Sequence, residues 1–99
     1  MDYKLITKHF DVTEELQNRM DKKLGKLAKF NKWINHIEII ISGEGDMQNT
    51  EINAYLDHKQ INSKAKGRDA YITFANAFSK FKRQLEEYET RVTDHHGNH

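Results

Sequence analysis

The feature that most constrains the fold is a long apolar stripe in the second half of the chain. Its members recur at alternating spacings of three and four residues over about five turns: Tyr71, Phe74, Phe78, Phe81, Leu85 and Tyr88. One face of an α-helix has this period, and a face so rich in aromatic rings must be buried. The stripe therefore predicts a core helix that begins after Asp69, a good N-cap.

A second helix is predicted closer to the N-terminus. Leu16, Met20, Leu24 and Leu27 form a shorter apolar stripe, and Thr13 is suited to cap its start. Alternating or β-branched residues over 3–7, 37–41, 51–57 and 60–65 predict four strands. Between residues 43 and 50 the glycines and polar residues predict a loop.

Together these elements predict an α+β domain with the order β-α-β-β-β-α. Two parallel-packed helices would cover one face of a four-stranded sheet, in a layout like that of a double-stranded-RNA-binding domain. The other face is predicted to be solvated because of the residues that it carries: Glu38, Asn53, Tyr55, Asp57 and Asn62. We expect one domain over residues 1–92 and a disordered tail over 93–99, where the apolar period stops.

Charge is strongly segregated along the chain although the total is nearly neutral. The 99 residues hold 16 Lys and Arg against 15 Asp and Glu, a formal net charge of +1. Residues 19–32, however, contain six basic residues and one acid, and residues 64–83 repeat that ratio. Both stretches lie on or beside a predicted helix, so they predict a polarised surface that the net charge conceals.

The two basic stretches form the candidate RNA-binding site. On neighbouring helices they are predicted to merge into one patch, the footprint of a protein that binds the phosphate backbone. Lysine-rich helix faces are often simply solvated, but such faces usually mix charges into i,i+4 pairs, which is not the pattern here. The candidate residues are Lys22, Lys23, Lys26, Lys29, Lys64, Lys66, Arg68, Lys80, Lys82 and Arg83.

The sequence offers little evidence for a disulfide, a metal site, a catalytic site or a membrane span. The chain has no cysteine, which excludes disulfides, thiolate zinc sites and thiol nucleophiles. We interpret His95, His96 and His99 as incidental tail residues rather than as a metal site. No nucleophile or carboxylate pair stands out, so we expect neither an enzyme nor a cofactor. No apolar run approaches the ~20 residues of a membrane span, so a cytoplasmic protein is expected.

Five motifs, taken in their order and spacing, resemble the short-form ribosome hibernation promoting factor and ribosome-associated translation inhibitor family, also called the sigma-54 modulation protein family. They are Val12-Thr13-Glu14-Glu15-Leu16, Lys23-Leu24-Gly25-Lys26-Leu27, Ile34-Asn35, Ala65-Lys66-Gly67-Arg68-Asp69-Ala70-Tyr71 and Lys80-Phe81-Lys82-Arg83-Gln84-Leu85. The resemblance runs over residues 3–88, and it implies the same β-α-β-β-β-α fold that the residue pattern predicts.

The resemblance implies a stationary-phase or stress factor that binds 16S rRNA in the cleft of the small ribosomal subunit, on 30S subunits and 70S ribosomes. There it would cover the mRNA path and two tRNA positions, and so inhibit translation. The basic positions of the family match Lys23, Lys26, Lys80 and Arg83, and Lys29 matches some members. A second hibernation factor would be needed to support ribosome dimers, and the free protein is expected to be a monomer.

Two other functions remain open at this stage. One is a protein-interaction module that uses the exposed sheet face around Tyr55. The other is a general double-stranded RNA binder, because its sheet-and-two-helices layout is the same. Sensitivity of ribosome co-sedimentation to salt and to RNase separates the protein-interaction module from ribosome binding through RNA. A general double-stranded RNA binder would bind plain duplex RNA as well as it binds ribosomes.

Overall fold

The computed structural model describes residues 2–97, with side chains through Thr93, and its elements follow the predicted order β-α-β-β-β-α. The strands are β1 (Lys4–Lys8), β2 (Ile34–Glu44), β3 (Met47–Leu56) and β4 (Gln60–Gly67), and the helices are α1 (Glu14–Gly25) and α2 (Ala70–Gly97). A short 3-10 helix, Ala28–Phe30, follows α1. The predicted α+β fold class is therefore confirmed.

The four strands form one sheet in the order β1-β2-β3-β4. β1 is parallel to β2, and α1 makes the connection between them, whereas β2, β3 and β4 are antiparallel neighbours. The predicted polar loop before β3 is wrong in part. Only Gly45 and Asp46 form the turn, and residues 47–50 pair with β2. Pairing with the long neighbouring strand outweighs the weak strand propensity of these polar residues.

Both helices bury the stripes that the spacing predicts. In α1, Leu16, Met20 and Leu24 are at most 1% exposed, and in α2, Phe81 and Leu85 are fully buried. They pack on the isoleucine-rich face of the sheet to form one core cluster. Because the same face of the sheet carries both helices, the opposite face is left without a covering element.

The predicted caps fix where each helix begins. The Thr13 hydroxyl accepts a hydrogen bond from the Leu16 amide at 3.0 Å. The Asp69 carboxylate accepts from the amides of Tyr71 and Ile72 at 2.8 and 3.2 Å. Each cap satisfies amides that have no partner within the helix, so both helix starts are defined by local sequence.

The end of α2 lies beyond the predicted boundary. The helix continues to Gly97, so the tail expected from residue 93 begins inside it, while residues 98 and 99 lie outside the described residues. Thr93 makes a typical helical contact here, because its hydroxyl donates to the Glu89 carbonyl at 2.7 Å. Helical hydrogen bonds join backbone groups of the same helix, so the last turns of α2 can form without an apolar side chain that packs on the core.

The uncovered sheet face is polar, as predicted, but it is less solvated than expected. Asp57 and Asn62 are exposed, Glu38 and Tyr55 are half-buried, and Asn53 is only 6% exposed. Asn53 lies in the middle of the sheet, where the Asn62 amide donates to its side-chain oxygen. A neighbouring amide thus replaces water for this residue, which explains its burial.

Neither helix within residues 2–97 is both long enough and apolar enough to cross a membrane.

Candidate nucleic-acid interface

The two helices run side by side in the same direction. At their N-terminal ends the hydroxyls of Thr13 and Tyr71 lie 2.8 Å apart. Further along, the Lys23 ammonium lies 5.6 Å from the centre of the Phe78 ring. Because α1 and α2 are parallel, cations at the same distance from the N-terminal ends of the two helices lie close together.

The cations of α1 lie on the flank that faces α2. At about 100° per residue, Lys22, Lys23 and Lys26 fall within roughly a quarter turn of one another, and the contact of Lys23 with Phe78 shows which way this flank points. Asp21, the only acid among residues 19–32, lies on the other flank, where the Tyr3 hydroxyl donates to it at 2.6 Å. Burial and the nearby Asp21 carboxylate raise the pKa of Tyr3.

Helix α2 contributes Lys82 to the same neighbourhood, and Arg83 is the next exposed residue of that helix. Lys82 follows Phe78 by four residues and therefore lies one turn beyond it on the same side. We call Lys22, Lys23, Lys26, Lys82 and Arg83 the helix-side surface. Lys23 is half-buried and the other four are exposed. Among the side chains that the structure describes, no carboxylate lies within 4.0 Å of any of these five cations.

Lys80 lies three residues before Arg83 on the exposed side of α2, and its side chain extends from there to the sheet edge. Its ammonium donates to the Lys64 carbonyl at 2.9 Å, at the outer edge of β4. Gln84, one turn later, likewise donates to the Asn62 carbonyl at 2.7 Å. This flank of α2 faces the edge of the sheet because α2 packs over β3 and β4 rather than over the middle of the sheet.

Lys64 and Lys66 lie on the uncovered sheet face. They alternate along β4 with Ser63, whose hydroxyl donates to the Ala77 carbonyl under α2, and with Ala65, which packs against the core. We call Lys64, Lys66 and Lys80 the strand-side cluster. The cations thus extend from the helices around the β4 edge, with Lys80 of α2 close to both groups, and the single merged patch stays a prediction.

Three of the ten candidate cations have carboxylate partners. Lys29 pairs with Glu89 at 3.5 Å, Lys66 with Glu44 at 3.6 Å and Arg68 with Asp46 at 3.5 Å. These pairs are exposed or half-exposed, so each one is weak and is screened by salt. They nevertheless reduce the local positive potential at these three positions. Among the described side chains the helix-side cations have no such ion pairs, although Glu86 and Glu87 line one concavity with Arg83.

One cation outside the candidate set belongs to the same flank of α1. Arg19 lies with its guanidinium carbon 4.9 Å from the centre of the Tyr71 ring and pairs with Glu15 at 3.4 Å. This i,i+4 pair of Glu15 and Arg19 departs from the expectation that the basic face of the first helix lacks such pairs. Gln84 was also outside the candidate set, and only its position over the β4 edge reveals its contact.

The structure gives no support to a metal centre among the residues that it describes. No group of three or more His, Cys, Asp or Glu side chains there is arranged to hold an ion. The side chains of His95, His96 and His99 lie outside the described residues, so the interpretation of that tail stays a prediction.

Comparison with known proteins extends the resemblance over nearly the whole chain. Residues 3–93 match the family model described as Sigma 54 modulation protein / S30EA ribosomal protein. The ribosome hibernation promoting factor of Klebsiella oxytoca is 26% identical over 91 residues, which cover 91% of this chain and 96% of that protein. That of Escherichia coli (strain K12) is 21% identical over 95 residues, covering 96% of this chain and 100% of that protein.

Two solved structures share the fold. A ribosomal subunit interface protein from Coxiella burnetii superposes with a TM-score of 0.81 at 24% identity, over 91% of this chain and 99% of that one. The N-terminal domain of Thermus thermophilus Protein Y gives a TM-score of 0.75 at 21% identity, over 87% and 96% of the two chains. With the fold, the motifs and the match over residues 3–93 in agreement, the chain belongs to the Sigma 54 modulation protein / S30EA ribosomal protein family.

Proposed function

We propose that this protein is a ribosome hibernation factor that binds the small ribosomal subunit and inhibits translation in stationary phase or stress. Family membership and relatives named ribosome hibernation promoting factor support ribosome binding. The observation that carries the finer proposal is the helix-side surface, with five cations on two parallel helices and no described carboxylate within 4.0 Å.

In this proposal the helix-side surface contacts the backbone of 16S rRNA in the decoding cleft. Phosphate contacts fix position and orientation but read no sequence, so specificity comes from the fit of the domain to folded RNA. The two helices share one buried core with the sheet and cannot easily change their spacing. A body of this kind blocks mRNA and tRNA by occupying their path.

The proposed ribosome-binding unit is the domain over residues 1–92. Within it the helix-side residues make the main rRNA contacts, and Lys29 and Arg68 contribute less because each has a carboxylate partner. No residue is assigned a catalytic role. A second hibernation factor would join the complex where ribosomes pair.

A pelleting assay with purified 30S subunits tests the proposal. If about five phosphate contacts form, affinity should fall several-hundredfold between 50 and 200 mM salt on a duplex scale. The double variant Lys26→Glu/Arg83→Glu should lose at least about tenfold in affinity and reduce the salt slope by about two. Both side chains are exposed, so folding should be unaffected.

The matched control is Lys4→Glu/Lys8→Glu, which makes the same change of charge at exposed positions of β1. It should pellet like the unmodified protein and inhibit translation in vitro equally well. Equal binding by the two double variants would show that the helix-side surface is not the contact. Equal affinity for plain duplex RNA and for 30S subunits would favour a general double-stranded RNA binder. Pelleting that resists both salt and RNase would favour a protein-interaction module.

A further inference from the structure

We propose that the strand-side cluster, Lys64, Lys66 and Lys80, is a second anion-binding site that takes the phosphate of a single nucleotide. The nucleotide is either free or part of an unpaired RNA strand. The site is centred on the β4 edge and the uncovered sheet face, and of its three lysines only Lys80 lies near the helix-side surface. It goes beyond the proposed function and does not depend on how the helices meet the ribosome.

The three lysines surround one concavity of about 500 Å³. Two come from β4 and the third from α2, and between them the surface is formed by Ile40, Ser42 and Asn49 of β2 and β3. This volume lies in the range of sites that hold small molecules and is too small for a duplex. The concavity therefore has room for a ligand of about the size of one nucleotide.

Lys64 has no acidic partner even though one stands directly opposite it. Glu51 is its neighbour in the register between β3 and β4 and also lines the concavity. One oxygen of Glu51, however, accepts a hydrogen bond from the Asn62 amide at 2.6 Å, and no ion pair between Glu51 and Lys64 forms in the described part of the chain. The Lys64 ammonium is thus available to an anion.

Lys80 is held in place before any ligand arrives. Its hydrogen bond to the Lys64 carbonyl uses one of three ammonium hydrogens and leaves two for a ligand. Holding the long side chain in one position lowers the entropy that binding would otherwise cost. Lys80 therefore brings a fixed positive charge to the rim of the concavity.

Lys66, the third lysine of the cluster, forms a weak ion pair that an anionic ligand can replace. Its partner is Glu44 at 3.6 Å, and both side chains are more than half exposed. Such a pair contributes little stability, so a phosphate group with two negative charges can displace the carboxylate. With Glu51 included, the residues that line the concavity carry three positive charges and one negative charge.

The remaining lining suits the uncharged part of a nucleotide. Ile40 is half-buried and offers an apolar surface to a ribose or a base, while Ser42 and Asn49 provide hydroxyl and amide groups beside it. An inorganic anion would use only the lysines. The combination points to a nucleotide rather than to phosphate alone.

The test is titration of the ¹⁵N-labelled full chain with ATP and, separately, with a single-stranded hexauridylate RNA, followed by NMR. We expect saturable shifts confined to the amides around residues 40–51, 64–66 and 80. Lys64→Gln/Lys66→Gln should weaken that binding about tenfold, whereas the matched control Lys4→Gln/Lys59→Gln, at exposed positions that do not line the concavity, should leave it unchanged. The amide spectrum of each variant shows directly that it is folded.

The two ligands separate the two sources of phosphate. Saturation by ATP without competition from the hexamer identifies a free nucleotide, and tight binding of the hexamer with weak competition by ATP identifies an RNA strand. Absence of saturable binding by both, or shifts centred on α1, would overturn the site. Pelleting of Lys64→Gln/Lys66→Gln with 30S subunits keeps the two proposals apart, since loss of nucleotide binding with normal pelleting concerns the strand-side cluster alone.

Discussion

The helix-side surface and the strand-side cluster consist of the same residue types but differ in arrangement. The former extends along two parallel helices, whereas the latter surrounds a concavity and keeps two carboxylates, Glu44 and Glu51, close by. An extended row of cations suits a long polyanion, because each added contact releases further counterions. A concave group suits one compact anion.

In both regions a neutral polar side chain binds a carboxylate. The Tyr3 hydroxyl donates to Asp21 on the far flank of α1, and the Asn62 amide donates to Glu51 beside Lys64. Lys64 therefore has no carboxylate partner among the described side chains, whereas Lys66 of the same cluster pairs with Glu44. The comparison shows that hydrogen-bond partners of the acids, as well as the number of bases, determine where an anion can bind.

The largest expected effect comes from breaking what the two regions share, which is the position of α2. Phe81 of α2 is fully buried in the core. Phe81→Ala should lower the free energy of unfolding by about 3–5 kcal/mol, because it leaves a cavity. Urea denaturation measures this. Ile72→Ala, at a position 59% exposed on the same helix, should change stability by about 0.5 kcal/mol or less. Similar losses in the two variants would contradict this account of the core.

A smaller effect is expected from Tyr3→Phe, which removes the hydrogen bond to Asp21 at a cost of about 1 kcal/mol near neutral pH. Because the folded-state pKa of Tyr3 is raised above its ordinary value, its contribution is fully present below pH 10 and is lost as pH rises beyond that. The unmodified protein should therefore lose stability more steeply than the variant above pH 10. Parallel curves of stability against pH would show that Tyr3 titrates normally.

The smallest effect tests the pairing of Lys66. Glu44→Gln should raise nucleotide affinity at the strand-side cluster about two- to threefold, because it frees Lys66, while stability changes by about 0.5 kcal/mol or less. Asp46→Asn is the matched control, since it frees Arg68, which does not line the concavity. An equal gain in both variants would indicate a general charge effect and not a site.

The sequence predicts the element order, both caps and the buried stripes, because these depend on local spacing. The alternation of β4 likewise places Lys64 on the same face as Asn62. The contact of Lys23 with Phe78 depends instead on how the helices pack. A helical wheel groups Lys80 with Arg83, but only the position of α2 over β3 and β4 shows that the Lys80 side chain reaches the sheet edge. Likewise, Glu44 reaches Lys66 only because residues 47–50 extend the hairpin in place of a loop.

The hydrogen bonds from Lys80 and Gln84 to the edge of β4 also bear on self-association. An edge strand with free carbonyls is a template for a strand from another molecule. Here the carbonyls of Lys64 and Asn62 already have partners from α2 of the same chain. The edge is thereby occupied from within, and a charged ammonium stands where a second molecule would have to dock, which protects the protein from edge-to-edge aggregation at high concentration.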